Sequence, residues 1–247
     1  MIYVKNDREI ELMREPCRIV RDCLNFIGEK IKAGMTTKEV DQIAYDFIKA
    51  NGAEPSCLGY CGFPATACVS VNETVVHGIP DERVLKEGDI VSVDLVAFKN
   101  GFHGDAARTF CIGEVSPEKQ KLVRVTEECF FKAIEGLKEG TPLFDIGYKV
   151  QQHAEANGFS VIRSYTGHGI GHEMHEDPSV PNFGRKGTGM RLKAGMVICI
   201  EPMVAMGDWR VKIRQDGWTA DTKDGKAAAH YENTVVIRED GIEILTL

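Results

Sequence analysis

The sequence has 247 residues, of which 43% are hydrophobic and 27% are charged, and its formal net charge is -7 at pH 7. These values predict an ordinary globular protein with a sizeable core, and the negative charge argues against nucleic acids and anionic membranes as partners. No apolar run reaches the roughly 18 residues of a membrane span, and the first residues lack the apolar core of a signal peptide. Eight cysteines without a Cys-x-x-Cys pair indicate free thiols. We therefore expect a cytoplasmic protein.

The first part of the chain is predicted to form two amphipathic helices. The first is expected to begin at Asn6 or Asp7, because apolar residues follow at spacings of three and four. Pro16 lies within this stripe and is expected to kink or split the helix. The second helix is predicted to begin at the capping-box pattern Thr36–Glu39 and to end at the stop signal of residues 51–52.

After the second helix the pattern changes to short strands. Residues 69–71, 90–96 and 109–112 are rich in apolar and β-branched side chains and are predicted as strands. The longest of these runs is almost continuously apolar, which indicates a buried strand. It carries Asp94 towards its end, where a charge is costly unless a partner neutralises it.

The same order of elements then starts again, which indicates an internal repeat. Two further helices are predicted, one over about residues 116–140 and one over residues 141–158. Residues 137–158 align without gaps to residues 31–52.

A second match pairs two acids across the repeat. Residues 192–201 resemble residues 85–94, so that Glu201 corresponds to Asp94 at the end of an apolar run. Two such halves can share one sheet with the helices on its back. We expect a single catalytic domain with the following bounds: 1–247 for the whole, and about 7–113 and about 116–240 for its halves.

Two more acids complete a set of four oxygen donors. Asp105 follows Asp94 after Lys99–Gly101, a hairpin turn signal, and folding back at this turn brings the two aspartates close together. Glu232 precedes another strand-like run at residues 233–237. Close carboxylates repel one another unless a cation lies between them.

A glycine-rich stretch contributes His168, whose flanking glycines allow a bound group to approach the backbone closely. A dinucleotide loop is one alternative, but the glycine spacing differs and Asp177–Pro178 opposes a long helix after it. A zincin motif is another, but His172 and His175 are three residues apart instead of four. A structural histidine is the third alternative. Together, four carboxylates and one imidazole suit two divalent ions and predict metal-assisted hydrolysis.

Over essentially its whole length the sequence resembles the type I methionine aminopeptidases. The resemblance rests on the stretch Tyr165–His175 and on the order of the five candidate ligands: Asp94, Asp105, His168, Glu201 and Glu232. It implies an α/β fold of the pita-bread type, in which two pseudo-symmetric halves share a curved, mostly antiparallel sheet with helices on its outer face. The short N-terminus and the lack of a long insertion before Glu232 are typical of the bacterial form.

The resemblance also implies the reaction. This is removal of the N-terminal methionine from nascent proteins and peptides with a small second residue, through attack of water activated by two divalent ions (Co, Mn, Fe, Zn or Ni). Asp105 and Glu232 would bridge both ions. Asp94 would complete the ligand set of one ion, and His168 with Glu201 would complete that of the other.

Further residues receive roles from the same resemblance. His77 corresponds to the histidine near the scissile amide nitrogen and His175 to the one that binds the substrate carbonyl, so that His77, His175 and Glu201 are the implied catalytic residues. The methionine pocket would be lined by six residues: Cys57, Tyr60, Phe63, Cys68, Met174 and Trp218. The loop that supplies the first three of these is glycine-broken and rich in sulfur and aromatic groups, which suits a thioether ligand.

Some positions depart from the family pattern. Phe63 stands where relatives often have Tyr, Met174 where they often have Phe, and Val96 where Thr is common. The first two affect the shape of the pocket and the third a minor polar contact. Asn72 and the backbone near Ala228 match a monovalent-cation site of some relatives.

Two other functions compete with this interpretation. A proline-specific aminopeptidase or prolidase would share the fold but usually carries an additional N-terminal domain. A metal-free binding module of the same fold would lack part of the ligand set. For a methionine aminopeptidase we expect a monomer that acts on nascent chains and associates transiently with ribosomes, without specificity for nucleic acids and without a membrane.

Overall fold

The computed structural model describes residues 2–247, over which the chain forms four α-helices and fifteen β-strands. The helices are α1 (Asp7–Lys30), α2 (Thr37–Ala50), α3 (Pro117–Ile134) and α4 (Phe144–Ala156). The strands are β1 (Glu54–Pro55), β2 (Ala67–Val71), β3 (Thr74–Val76), β4 (Ile90–Lys99), β5 (Phe102–Cys111), β6 (Ser160–Val161), β7 (Gly167–Gly169), β8 (Glu176–Val180), β9 (Val197–Ile200), β10 (Met203–Ala205), β11 (Val211–Ile213), β12 (Ala220–Thr222), β13 (Ala228–His230), β14 (Glu232–Ile237) and β15 (Ile242–Ile244). Within residues 2–247, every helix is too short or too polar to cross a lipid bilayer.

The strands form one large sheet and two small ones. The large sheet has nine strands in the order β1-β4-β5-β14-β9-β7-β8, with β2 also paired to β4 and β15 to β14. The two three-stranded sheets have the orders β13-β10-β6 and β11-β12-β3. All the pairings between strands are antiparallel. The curled sheet and its four helices confirm the predicted pita-bread fold.

Capping interactions begin the first two helices at the predicted residues. The side chain of Asn6 accepts a hydrogen bond from the Glu9 amide, and Thr36 does the same with Glu39. Pro16 does not split α1, so that part of the prediction is wrong. Pro16 is buried, and packing of the helix on β4 and β5 offsets the backbone hydrogen bond that a proline cannot donate.

The second pair of helices is shorter than predicted. Helix α3 ends at Ile134 because Gly136, with φ 67°, turns the chain away from the helix. Helix α4 begins only at Phe144, because the backbone before it pairs with the chain around Met190, where the Leu143 amide donates to the Met190 carbonyl.

Corresponding hydrogen bonds join the start of the second helix of each half to the turn before the central strand. Gly34 donates to the carbonyl of Leu85, and Gly140 donates to the carbonyl of Leu192. These are the positions that the sequence alignment of the two halves matches. We propose that the halves are two copies of one unit, and these equivalent bonds support that proposal.

Each pair of helices covers its own apolar core. In the first half, Val93 and Leu95 of β4 pack with Val20 and Leu24 of α1. In the second half, an equivalent cluster joins β9 and β14 to α3 and α4. Because side chains alternate along a strand, the other face of the central strands remains available for polar groups.

The central strands are longer than predicted, which changes the position of one candidate ligand within its strand. Strand β4 continues to Lys99, so that Asp94 lies in the middle of the strand and not at its end. The run at residues 109–112 is the last part of β5 rather than a separate strand. Asn100 and Gly101 form the predicted two-residue turn, with φ values of 56° and 82° that suit a hairpin.

Glycine at position 104 permits a close contact between α1 and β5. A Cβ atom at Gly104 would lie 2.5 Å from the Cys17 nitrogen and 2.7 Å from the Pro16 carbonyl carbon. Real Cβ contacts are longer than this, so any larger residue would push the helix away from β5.

We expect Gly104→Ala to lower the free energy of unfolding by about 1–3 kcal/mol, the usual cost of overpacking. The matched control is Gly241→Ala, because nothing lies within 4 Å of a Cβ at Gly241. Guanidinium unfolding of both variants measures the difference. Equal stability of Gly104→Ala and the unaltered protein would contradict this account of the helix contact.

Candidate metal centre and active site

The register of the central hairpin brings the first acids together. Asp94 lies opposite Ala107, and Asp105 lies opposite Val96. Residues two apart on a strand share a face, so both aspartates project from the same face as Ala107. Glu232 also pairs with Ala107 and therefore joins them on that face.

The second half of the sheet adds the fourth acid. Asn233 of β14 pairs with Ile200 of β9. Glu201 follows Ile200 directly, so continuing the same antiparallel register brings it level with Glu232. Two glutamates from neighbouring strands thus lie side by side.

His168 reaches the acids from the next strand. Gly169 of β7 pairs with Ile198 of β9, which puts His168 level with Cys199. Cys199 and Glu201 are two residues apart and share a face. The imidazole therefore points to the same side of the sheet as the four carboxylates.

The contacts of His168 fix the orientation of its ring. Its Nδ1 lies 2.8 Å from the carbonyl of Gly169, and a carbonyl only accepts, so Nδ1 carries the proton. The other nitrogen, Nε2, lies 3.6 Å from Asp105 Oδ2 and 3.6 Å from Glu201 Oε1. These distances are too long for hydrogen bonds, and they leave room for an ion between the groups.

Burial makes the carboxylates costly to ionise together. Burial and the charge of Asp105 raise the pKa of Asp94 well above its usual range. Burial and the charges of both aspartates raise the pKa of Glu201, and the pKa of Glu232 is raised by burial and by all three other acids. A cation among these groups would relieve both the burial and the repulsion.

Unpaired oxygen atoms support the presence of a cation. Within residues 2–247, Asp105 Oδ1 and Glu232 Oε1 are buried and have no hydrogen-bond partner. Buried polar atoms without partners are rare in proteins, and a metal ion is one way to satisfy them. The hard oxygen donors and the imidazole fit divalent ions.

Two residues of this cluster were missed by the sequence interpretation. Ligand atoms of Asp105, His168, Cys199 and Glu232 lie within 4.8 Å of one another, and so do those of Asp94, His230 and Glu232. Burial lowers the pKa of His230 to about 3 and raises that of Cys199 well above its usual range. No sequence signal pointed to His230, because the chain passes from β13 to β14 between this residue and Glu232, and strand alternation does not continue across that break.

A single cavity of about 710 Å³ opens onto this cluster. Around it lie the thirteen residues that the sequence interpretation named for the metal ions, catalysis or the methionine pocket: Cys57, Tyr60, Phe63, Cys68, His77, Asp94, Asp105, His168, Met174, His175, Glu201, Trp218 and Glu232. The cavity therefore has one acidic end and one apolar end. Its size suits a small ligand or the end of a peptide chain.

The apolar end is a packed cluster of sulfur and aromatic side chains. Cys57, Phe63, Cys68 and Met174 are buried against one another. The rings of Phe63 and Trp218 lie 5.2 Å apart in an edge-to-face arrangement. Rigid aromatic walls of this kind suit an unbranched apolar side chain.

Two histidines flank the acidic end. The ring of His175 lies 4.4 Å from that of His168, and its Nδ1 is 2.9 Å from the hydroxyl of Tyr60, which is 38% exposed at the cavity rim. His77 packs edge-on against Tyr165 at 5.2 Å, and burial lowers its pKa. The backbone of His77 has a φ of 58°, an uncommon conformation that its surroundings must maintain.

The residue assigned to a monovalent cation already has a cationic partner. Asn72 Oδ1 accepts a hydrogen bond of 2.8 Å from the ammonium of Lys119, which also donates to the Gly88 carbonyl. The Ala228 amide donates to the backbone carbonyl of Asn72. A monovalent ion at this place would have to bind through backbone oxygens.

Known proteins match the chain from end to end. The sequence model of the family described as "Metallopeptidase family M24" matches residues 11–239 of the chain. The methionine aminopeptidase of Clostridium perfringens is 56% identical over 247 residues, which are 100% of this chain and 99% of the relative. The chain belongs to the methionine aminopeptidases of metallopeptidase family M24. A metallopeptidase of this family uses divalent metal ions, and the buried acidic cluster offers ligands for them.

Solved structures of methionine aminopeptidases and of prolidases resemble this chain to different degrees. The methionine aminopeptidase of Thermotoga maritima is 47% identical and superimposes with a TM-score of 0.98, over 100% of this chain and 99% of that one. The prolidase of Pyrococcus furiosus is 25% identical with a TM-score of 0.80, and the match covers 99% of this chain but 65% of the prolidase. The methionine aminopeptidase thus matches in length as well as in fold, and the prolidase matches in fold alone.

We expect the metal-free Glu232→Gln variant to be more stable than the metal-free unaltered protein at pH 8. The raised pKa of Glu232 means that the folded state resists an ionisation that the unfolded state makes freely. Stability is therefore lost as the pH rises above the ordinary pKa of glutamate, and glutamine avoids this loss. Thermal unfolding in the presence of a chelator measures the effect, which should vanish near pH 4.

The control for this comparison is Glu29→Gln, which alters an exposed glutamate near the end of α1. It should change stability equally little at both pH values. With saturating divalent ion, the unaltered protein should be more stable than Glu232→Gln, because the ion binds the negative charge of Glu232. A metal-free Glu232→Gln protein less stable than the unaltered one at pH 8 would contradict the repulsion argument.

Proposed function

We propose that the cavity is the site at which this methionine aminopeptidase removes N-terminal methionine, with two divalent ions held by five residues: Asp94, Asp105, His168, Glu201 and Glu232. The observation that carries the proposal is the convergence of four carboxylates and one imidazole on one face of the sheet. Divalent ions bound there would supply Lewis acidity and a water molecule acidic enough to attack a peptide bond near neutral pH.

The acidic end of the cavity favours a free N-terminal amine. Asp94 and Glu201 lie at the cavity wall, and their oxygen atoms can accept hydrogen bonds from a free amine. An acylated amine would have fewer N–H groups to donate and would add bulk beside the carboxylates. The enzyme should therefore act only on the first residue of a chain.

His175 is proposed to hold the carbonyl oxygen of the scissile bond. The Tyr60 hydroxyl is assigned as the donor to its Nδ1, which leaves the proton of the neutral ring on Nε2. A ring in this state donates a hydrogen bond to an oxygen that gains negative charge during the reaction. His77 also lines the cavity, with its ring 6.3 Å from that of Trp218, and is proposed to contact the amide nitrogen.

The apolar end is proposed to bind the methionine side chain. Phe63, Met174 and Trp218 present two rings and a thioether, which suit a flexible and polarisable side chain. A β-branched side chain would meet the packed walls, and a charged one would lose its hydration. The second residue would lie beside His77, where a small side chain fits best.

Four expectations from the sequence stay predictions. They concern the choice of metal among Co, Mn, Fe, Zn and Ni, the monovalent cation, the monomeric state with transient ribosome association, and the cytoplasmic location. For the metal, the imidazole of His168 favours a borderline ion over Mg or Ca. For the monovalent cation, the contact between Lys119 and Asn72 argues that the lysine ammonium supplies part of the positive charge.

A peptide series that varies only the first two residues tests the function. We expect cleavage of Met-Ala and Met-Gly peptides, and none of Met-Lys or formyl-Met-Ala. Norleucine should replace methionine, and a side chain one methylene shorter should cost roughly 1–3 kcal/mol of discrimination. The assay is run on metal-free enzyme reconstituted separately with Mn, Fe, Co and Zn. Cleavage of Xaa-Pro peptides with Met-Ala left intact would assign the proline-specific alternative instead.

We expect His77→Ala and His175→Ala to keep their metal and lose rate. Each histidine is proposed to stabilise charge that develops in the transition state, so each loss should lower kcat on the order of 10²–10³-fold. His153→Ala on α4 is the control, because this ring bonds only Glu128 on the outer helix surface. Metal analysis accompanies the kinetics. Near-normal kcat in both variants would remove these histidines from the site.

A further inference from the structure

We propose that His230 is an additional ligand of the metal centre and binds, through Nε2, the same ion as Asp94 and Glu232. This inference rests on the proposed metal centre and adds to it a residue outside the five that the sequence pattern named. It concerns the ion that would otherwise have oxygen ligands only. Four observations support it.

The first observation is the position of the ring. His230 is 2% exposed, and its Nε2 lies 3.8 Å from Glu232 Oε2 and 3.9 Å from Glu201 Oε2. One ligand atom each of Asp94, His230 and Glu232 lie within 4.8 Å of one another. Two ligands of one ion, each about 2.1 Å from it, are at most about 4.2 Å apart. The 3.8 Å between His230 Nε2 and Glu232 Oε2 is within this limit, so these two atoms can bind one ion.

The second observation is that the nitrogen has no other partner. Within residues 2–247, His230 Nε2 is buried and forms no hydrogen bond. A hydrogen bond to either glutamate would require a distance near 3 Å, which is well below the observed values. An unpaired buried nitrogen costs free energy, and an ion would remove this cost.

The third observation is the likeness to His168. That ring directs its Nε2 at two carboxylates, each 3.6 Å away, without a hydrogen bond to them. His230 directs its Nε2 at two carboxylates in the same way, at 3.8 and 3.9 Å. With His230 included, each of the two ions has one imidazole ligand, which favours borderline ions at both positions.

The fourth observation is the rigid backbone of His230. Its amide donates to Thr109 Oγ1 at 3.0 Å, and the Thr109 hydroxyl donates to its carbonyl at 2.8 Å. The neighbouring Glu232 carbonyl accepts a bond of 2.6 Å from Arg108. The chain thus fixes the ligand pair His230 and Glu232 before a metal binds, which is the arrangement that a metal site needs.

The experiment counts histidine ligands directly. Metal-free protein is loaded with two equivalents of ¹¹³Cd, and proton–cadmium correlation spectra record which histidine rings couple to the metal. We expect two coupled rings in the unaltered protein, one on each cadmium resonance. In His230→Gln one coupling should disappear and the coupling of His168 should remain, whereas the surface control His153→Gln should keep both.

Affinity for cobalt supplies the second readout. Glutamine can still donate a hydrogen bond to a carboxylate. If His230 only positioned the carboxylates, His230→Gln would therefore keep its cobalt affinity. A lost ligand should weaken one of the two cobalt binding constants at least about tenfold, by comparison with the 10–100-fold effects of residues behind the ligands. Thermal unfolding of the metal-free variant checks that it folds.

The outcomes are distinct. Two bound cadmium ions with coupling to one histidine ring only, or unchanged cobalt binding in His230→Gln, would overturn this inference and leave the proposed metal centre intact. Failure of the unaltered protein to bind cadmium would overturn the metal centre itself and the inference with it. Loss of one coupling together with one weakened constant would establish His230 as a ligand.

Discussion

Repulsion among buried carboxylates is the constraint around which this protein is built. Three acids on strands and Glu201, directly after β9, converge on one face of the sheet, and burial with mutual repulsion raises the pKa of Asp94, Glu201 and Glu232. Such a cluster opposes folding unless the remaining interactions hold the strands together. The same repulsion gives the site its affinity for a cation. The arrangement of carboxylates therefore lowers the stability of the folded protein and at the same time creates the binding site.

The fold opposes this repulsion through the backbone and leaves the carboxylates free. Thr234 bonds both the amide and the carbonyl of Asp105, and Arg108 bonds the carbonyl of Glu232. The two helix pairs contribute an apolar core behind each half of the sheet. Because the strands are fixed by these contacts, Asp105 Oδ1 and Glu232 Oε1 can stay without a protein partner and remain available to a ligand.

Local signals in the sequence predicted much of the fold. The capping boxes at Asn6 and Thr36 begin their helices, and the Asn100–Gly101 turn sets the register that brings Asp94 beside Asp105. The predicted end of α3 and start of α4 were wrong, because the conformation of Gly136 and pairing with a distant segment decide them. Such pairing is invisible to an argument from neighbouring residues.

The sequence by itself determined the family, the five candidate ligands and the chemical character of the pocket, because these depend on residue type and order. The tertiary structure alone decided the contacts of His230. Its ring meets Glu201 and Glu232 only because β13, in a small sheet, is held against β5 by the bonds of Thr109. A histidine two residues before an acid is common, and only packing between two sheets decides whether its ring points at two buried carboxylates or into solvent.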